Sequence, residues 1–208
     1  MSQFHRPHGL AGWLVGWEMA LRPSNRHRNH WAVSLLDVEP TDRFLEVGFG
    51  PGIAIREAAR LATHGKVIGV DHSDEMLRQA TRRNRDAVHE GRVELHQMDA
   101  DALRAFESTF DKVLVVNSLG FWPQPVDRLV DIRSIMSEGG VIAIVSQPRC
   151  PGATSKHTER AEQEIRQLLQ KAGFTDLRSE RLELDPPAVC VLATSLTVGS
   201  QALNESSR

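Results

Sequence analysis

The sequence predicts a three-layer α/β fold, a mostly parallel seven-stranded sheet that ends in an antiparallel hairpin. Three observations predict it. Short apolar runs alternate with segments of helical period from Phe44 to Gly173. One run, Val113-Leu114-Val115-Val116, is apolar without alternation, as a strand covered on both faces would be. The last two runs are separated only by Asp185-Pro186-Pro187, which leaves no room for a crossover helix, so they must pair antiparallel.

Residues 1–8, rich in His, Arg and Pro, read as a loose arm. Gly9 to Leu21 reads as a helix, with Leu10, Trp13, Leu14, Trp17 and Leu21 on one stripe. Pro23-Ser24-Asn25 breaks it and offers a cap for a second, polar helix to Leu36. Strand one is Phe44 to Val47, followed by a helix from Ile53 to Ala62. Strand two runs from Lys66 to Val70 and ends at Asp71, and Ser73 caps a helix to about Val88. Strand three is Arg92 to Gln97 and strand four Asp111 to Val116. A helix from Val126 to Met136 is expected to stop at Gly139-Gly140, ahead of strand five, Val141 to Val145. A helix from about Lys156 to Ala172 stops at Gly173, and Leu177 to Leu184 with Ala188 to Thr194 forms the hairpin. The expected organisation is one domain: a helical cap or lid over 1–40, a core over 41–197 and a tail over 198–208.

Composition excludes several classes. A net charge of −2 gives no positive field to draw in nucleic acid or an anionic membrane. Arg78, Arg82, Arg83 and Arg85 share one predicted helix and read as its solvated face. The apolar stretch at Gly9 to Leu21 contains Glu18 and falls short of the ~20 residues a membrane span needs. Cys150 and Cys190 stand alone in no metal-like spacing and read as reduced thiols, which suggests a cytoplasmic protein. No metal site is expected, because His27 and His30 lack a third ligand.

The chain is organised around Arg43-Phe44-Leu45-Glu46-Val47-Gly48-Phe49-Gly50-Pro51-Gly52. A strand feeding a glycine turn that opens a helix is the layout of a nucleotide-type cofactor site: small residues admit the ligand, and the free N–H groups of the first helical turn face it. A dinucleotide loop would read G-x-G-x-x-G/A, and Ile53 occupies its third position. The pattern Glu46-x-Gly48-x-Gly50-x-Gly52, Asp71 at the tip of strand two, Met98-Asp99-Ala100 after strand three, Phe110-Asp111-Lys112-Val113 opening strand four, Asn117 ending it, Gly139-Gly140, Ala172-Gly173-Phe174 and the final hairpin together resemble the class I S-adenosylmethionine-dependent methyltransferases of small-molecule type. The resemblance covers about 41–195. It implies a Rossmann-like methyltransferase fold, S-adenosylmethionine as cofactor and S-adenosylhomocysteine as product.

By position, the resemblance assigns Glu46 to the amino end of the methionine portion, with Gly48, Phe49, Gly50 and Gly52 forming the loop against it. Asp71 would hold the ribose, with His72 along the adenine ring and Met76 in the same binding set. Asp99 would bond the adenine amine and the Ala100 N–H a ring nitrogen; a helix cap is the structural alternative for Asp99. Asn117 and Ser118 would sit near the sulfonium, and Asn29 or Asn25 could reach the cofactor carboxylate. An oxygen acceptor would want a general base, for which His30, His27, His157 and His96 are the candidates; an amine or thiolate needs less help. After strand four, Asn117-Ser118-Leu119-Gly120-Phe121-Trp122-Pro123 departs from the motif of DNA amino-methylases, and no cysteine set matches an arsenic methylase. The acceptor is therefore expected to be a small or lipid-like molecule, in a pocket made partly apolar by Trp13, Trp17, Trp31 and Trp122. A homodimer through the first helix stays open, as do two other readings: a non-catalytic cofactor-binding module and an NAD-dependent oxidoreductase.

Overall fold

The computed structural model describes residues 23–107 and 109–196. The elements run α1 (Pro23–Ser34), β1 (Arg43–Val47), α2 (Ile53–Leu61), β2 (Lys66–Asp71), α3 (Asp74–Arg83), α4 (Arg85–His89), β3 (Val93–Gln97), β4 (Phe110–Val116), α5 (Pro125–Ser134), β5 (Met136–Ser146), α6 (Ser155–Lys171), β6 (Thr175–Leu182) and β7 (Ala188–Thr194). The sheet order is β3-β2-β1-β4-β5-β7-β6. Strands β1 to β5 pair in parallel, whereas β7 lies antiparallel between β5 and β6. The direction of winding reverses between β1 and β4, so the carboxyl ends of these two strands flank the switch point where open α/β sheets bind ligands. The expected Gly9–Leu21 helix, Trp13, Trp17 and the 198–208 tail lie outside the described residues.

Strand alternation divides the core into two layers. Leu45, Val47, Val113, Val115, Ile142 and Ile144 face one side, under Leu129 and Ile132 of α5 and Ile165 and Leu169 of α6. Phe44, Val67, Leu114, Ala143 and Val145 face the other, under Ala32 and Val33 of α1, Ile55 and Ala58 of α2 and Ala80 of α3. Burial on both faces explains why these strands read as nearly unbroken apolar runs. It also makes single truncations costly: removing a packed Leu such as Leu114 typically removes about 2–5 kcal/mol of stability.

The structure corrects two sequence expectations. The helix read as Ser73 to Val88 breaks at Asn84, whose buried amide donates to Ala80 O within α3 and across to Gly52 O in the glycine loop. A side chain spent on two carbonyls ends α3 and ties it to the glycine loop. Gly139-Gly140 does not terminate a helix: α5 ends at Ser134, and the glycines lie within β5. The register against β4 jumps from Phe110↔Met136 to Lys112↔Val141. Gly139 takes φ +77°, and its N–H donates to Ser195 O at 2.7 Å, so the pair builds a strand irregularity closed by the segment after β7.

Candidate active site

Three left-handed glycines shape the turn between β1 and α2: Gly48 at φ +83°, Gly50 at +51° and Gly52 at +73°. Close approach fixes two of them as glycine. A Cβ on Gly48 would stand 2.6 Å from Ser118 Cβ, and one on Gly52 would stand 2.7 Å from Ala80 Cβ. A Cβ on Gly50 would meet nothing within 4 Å, so the space above it is open. The Gly48 N–H donates to Val70 O, and the Gly50 N–H donates to Asp71 Oδ2 at 2.9 Å. Asp71 Oδ1 accepts the Ser73 N–H, so this carboxylate at the tip of β2 already braces both the loop and the start of α3. Ser73 caps α3, its hydroxyl accepting the Met76 N–H.

Glu46, at the end of β1, is a buried carboxyl group. It is 1% exposed, and its carboxylate accepts the Ile55 N–H from the first turn of α2, which has no capping side chain of its own. Its Oε2 is buried without a hydrogen-bond partner. Burial first, and the neighbouring Asp71 carboxylate second, push the Glu46 pKa well above the ordinary 4.5. Burial likewise raises Asp71, against the pull of the Ser73 and Gly50 N–H groups and of His72. Two buried acids share one end of the sheet, and one of them has an unmet acceptor.

Across the switch point, Asn117 takes φ +52° at the end of β4. Its Oδ1 accepts the Gln147 N–H at 2.8 Å, while its Nδ2 is buried and unpartnered. Ser118 Oγ donates to Val47 O, closing the gap above Gly48. Gln147, just past β5, donates its amide to Pro186 O and accepts from Arg28 of α1.

The family model described as a methyltransferase domain matches residues 44–140, the segment that carries the glycine turn, Asp71, Asp99 and Asn117. The chain is 29% identical over 181 residues to an uncharacterised methyltransferase, YdaC, of Bacillus subtilis (strain 168), covering 86% of this chain and 97% of that one. Together these matches support a class I S-adenosylmethionine-dependent methyltransferase. A phosphatidylethanolamine N-methyltransferase of Cereibacter sphaeroides is 29% identical over 158 residues, covering 76% of this chain and 75% of that one. Among solved structures, the N-methyltransferase NodS of Bradyrhizobium japonicum WM9 with S-adenosylhomocysteine superposes with a TM-score of 0.65 at 16% identity, covering 86% of this chain and 91% of that one, and so shares its fold.

For this methyltransferase the structure brings Glu46, Gly48, Gly50, Asp71, Asn117 and Ser118 together at the carboxyl ends of β1, β2 and β4. Phe49 is 3% exposed and packs its ring toward Gly69, which leaves its backbone at the loop. Met76 is likewise a core side chain beneath α3. His72 is partly exposed, 3.7 Å from Asp71. Asp99 is exposed, Ala100 half-buried, and the short turn Leu103–Ala105 takes no side-chain cap, which removes the capping explanation for Asp99 at that turn.

The candidate bases are dispersed. His30 and His27 line a groove outside α1 and α2, where His30 lies 3.5 Å from Glu57. His157 is an N-terminal cap of α6, its Nδ1 accepting the Thr154 N–H. His96 sits on β3 against Phe106. Asn29 turns its amide back onto Asn25 within α1. Trp31 and Trp122 rest against opposite core layers, so they do not line one common apolar wall. Sequence reading singled out neither Asn84 nor Arg28, which lie in polar runs that gave no advance signal, and took Gln147 only as the start of the segment after β5 expected to enclose the acceptor. Among the described residues, no group of three or more His, Cys, Asp or Glu is placed to hold a metal ion, and no helix is long and apolar enough to cross a membrane.

Proposed function

We propose that this methyltransferase passes a methyl group to a small-molecule amine. The observation that carries its cofactor site is the buried, unsatisfied Oε2 of Glu46 beside open space above Gly50. Such an acceptor suits the ammonium end of the methionine portion, which would supply the missing donor and a compensating charge. The backbone of Gly48 and Gly50 would let that portion lie close. Asp71 would take the ribose hydroxyls, with its loop-bracing bonds setting the carboxylate's direction. His72, Asp99 and the Ala100 N–H would line the adenine end, and Asn117 and Ser118 the reacting centre. S-adenosylmethionine brings an activated methyl on a sulfonium, open to in-line displacement by the acceptor's lone pair.

The protein's share of the chemistry is then alignment, which can contribute on the order of 7–11 kcal/mol. An amine acceptor follows from what surrounds Asn117. The candidate bases lie elsewhere, His27 and His30 in the outer groove, His157 at the start of α6 and His96 on β3. An amine needs no strong base to be nucleophilic. The N-methylating relatives agree with this choice but do not identify the acceptor. Calorimetry with S-adenosylhomocysteine tests the cofactor site, with micromolar binding expected. Release of S-adenosylhomocysteine across amines, phenols, thiols and fatty acids tests the acceptor class; turnover confined to phenols or fatty acids would overturn the amine reading.

A further inference from the structure

Three arginines from three helices meet at one groove beside the glycine turn. Arg26 of α1, Arg56 of α2 and Arg83 at the end of α3 line a cavity of about 430 Å³ together with His27, His30 and Glu57. That volume lies within the range of small-molecule sites, roughly 300–1,000 Å³. Helical spacing explains the shared wall: His30 follows His27 by one short turn and Arg26 by one long one, so the three side chains occupy one face of α1. The whole chain carries a net charge of −2, so this concentration of cations is local.

The carboxylate at the groove is directed away from the arginines that line it. Glu57 stands 3.5 Å from His30 Nδ1 and 3.8 Å from Arg60, which is not part of the lining. Among the described residues, no carboxylate lies within ion-pair distance of Arg26, Arg56 or Arg83. Arg83 also departs from the solvated face that its helix suggests in sequence. It is half-buried, and its Nε donates to Pro51 O at 2.8 Å, within the glycine turn. That bond takes one of the five donors of the guanidinium fork and sets its plane. Burial first, and the guanidiniums of Arg26 and Arg56 next, hold the Arg83 pKa below its ordinary 12.5. The three charges therefore repel one another across the groove.

We propose that this groove binds a phosphoryl group, with Arg83 as the anchored fork and Arg26 and Arg56 meeting the same anion from two other helices. Paired guanidinium N–H groups match the spacing of phosphate oxygens, and the anion replaces mutual repulsion with shared attraction. His27 and His30 add ring N–H donors on the α1 wall. None of Glu46, Asp71, Asn117 or Gln147 lines the groove, so the site is separate from the one assigned to methyl transfer and does not rest on that reading.

Calorimetry on the full chain tests it, with inorganic pyrophosphate titrated into a chloride buffer at fixed ionic strength. One saturable site is expected, and Arg26→Gln and Arg56→Gln should each raise its Kd about tenfold, the loss of one charge-assisted contact. Both side chains are exposed, so neither substitution opens the core. Arg83→Lys keeps the charge without the fork and should weaken binding by a similar factor. Glu57→Gln should tighten binding severalfold by removing the carboxylate from the wall. Arg160→Gln on α6, against the other face of the sheet, makes the same change in net charge as Arg56→Gln and should stay within about twofold of wild type, because distant exposed charges are screened.

Absence of a saturable site in the wild type, or equal weakening in Arg56→Gln and Arg160→Gln, overturns the proposal. So does one-to-one displacement of pyrophosphate by S-adenosylhomocysteine, which would put the anion in the cofactor's seat. Pyrophosphate binding in a protein that fails to bind S-adenosylhomocysteine would remove the methyl-transfer reading and uphold the groove. Two sources share this chemistry, and sedimentation with vesicles distinguishes them. Capture by phosphatidic acid vesicles over phosphatidylcholine vesicles, lost in Arg56→Gln, supports a lipid headgroup; pyrophosphate binding without capture supports a soluble phosphate ester.

Discussion

The two sides of the switch point are built differently. At the ends of β1 and β2 the site is mostly backbone: three left-handed glycines, N–H groups held by Val70 O and Asp71, and a carboxylate on the unfilled first turn of α2. At the ends of β4 and β5 it is side chains reaching across the chain: Arg28 to Gln147, Gln147 to Pro186, Asn117 to Gln147. A common cofactor can be met by fixed backbone geometry, which tolerates few substitutions. An acceptor that differs between enzymes is met by side chains that can be exchanged without disturbing the loop. Perturbing the first side should abolish cofactor binding, whereas perturbing the second should change acceptor handling alone.

The largest effect is expected at Gly48. Gly48→Val puts a branched side chain at φ +83° with Ser118 Cβ 2.6 Å away. Strain of about 1–3 kcal/mol and displacement of the loop should together cost more than a hundredfold in S-adenosylhomocysteine affinity by calorimetry. An unchanged affinity would mean that the loop is not the cofactor's seat. Next comes Glu46→Gln, which keeps the shape but replaces the oxygen acceptor with an amide. Affinity should fall about 10–100-fold, the worth of one charge-assisted hydrogen bond. The same variant should melt higher than wild type without ligand, because it removes a carboxyl that burial and Asp71 disfavour as an anion.

That buried pair also dictates a pH dependence. Glu46 and Asp71 both have pKa values raised on folding, so the folded state holds protons that the unfolded chain has released. Their contribution is intact below the ordinary carboxyl values of 4.5 and 3.8 and is lost as pH rises through the folded values. Apo stability from denaturant melts should therefore decline upward from about pH 4.5 relative to Glu46→Gln. Saturating S-adenosylhomocysteine, by placing an ammonium on Glu46, should flatten that difference. On the other side of the switch point, Gln147→Ala should leave S-adenosylhomocysteine affinity within about threefold while raising the acceptor KM about tenfold, as loss of one polar contact would. Equal losses in both would erase the distinction between the two sides.

The same contrast explains what could be read from the chain. The glycine turn, Asp71 and the Ser73 cap were legible because each depends on neighbours in sequence, where local turn and capping chemistry fixes the outcome. The hairpin was legible because β6 and β7 are separated by a turn too short for a helix, although its insertion of β7 next to β5 was not. Gly139-Gly140 misled because paired glycines serve equally as a helix stop or a strand irregularity, and Ser195, far along the chain, decides between them. Asn84 and Arg28 were illegible for a similar reason. Their amide and guanidinium partners, Gly52 O and Gln147, are brought near only by the finished fold.

His157 marks the outer limit of the acceptor side and gives the smallest predicted effect. As a base it would show a loss of turnover with a pH profile. As an N-terminal cap its imidazole accepts the Thr154 N–H and completes the reciprocal pair at the start of α6. His157→Ala should therefore lower stability by about 0.5–1 kcal/mol, as caps exposed to water do. His157→Gln, which can supply an acceptor in the same box, should recover part of it. Turnover should remain within about twofold of wild type in both, since each destabilisation is small beside the whole of a domain's stability. A tenfold loss of turnover in His157→Gln with the melting temperature unchanged would move this histidine from the frame of α6 into the chemistry, and with it the amine reading would lose its main support.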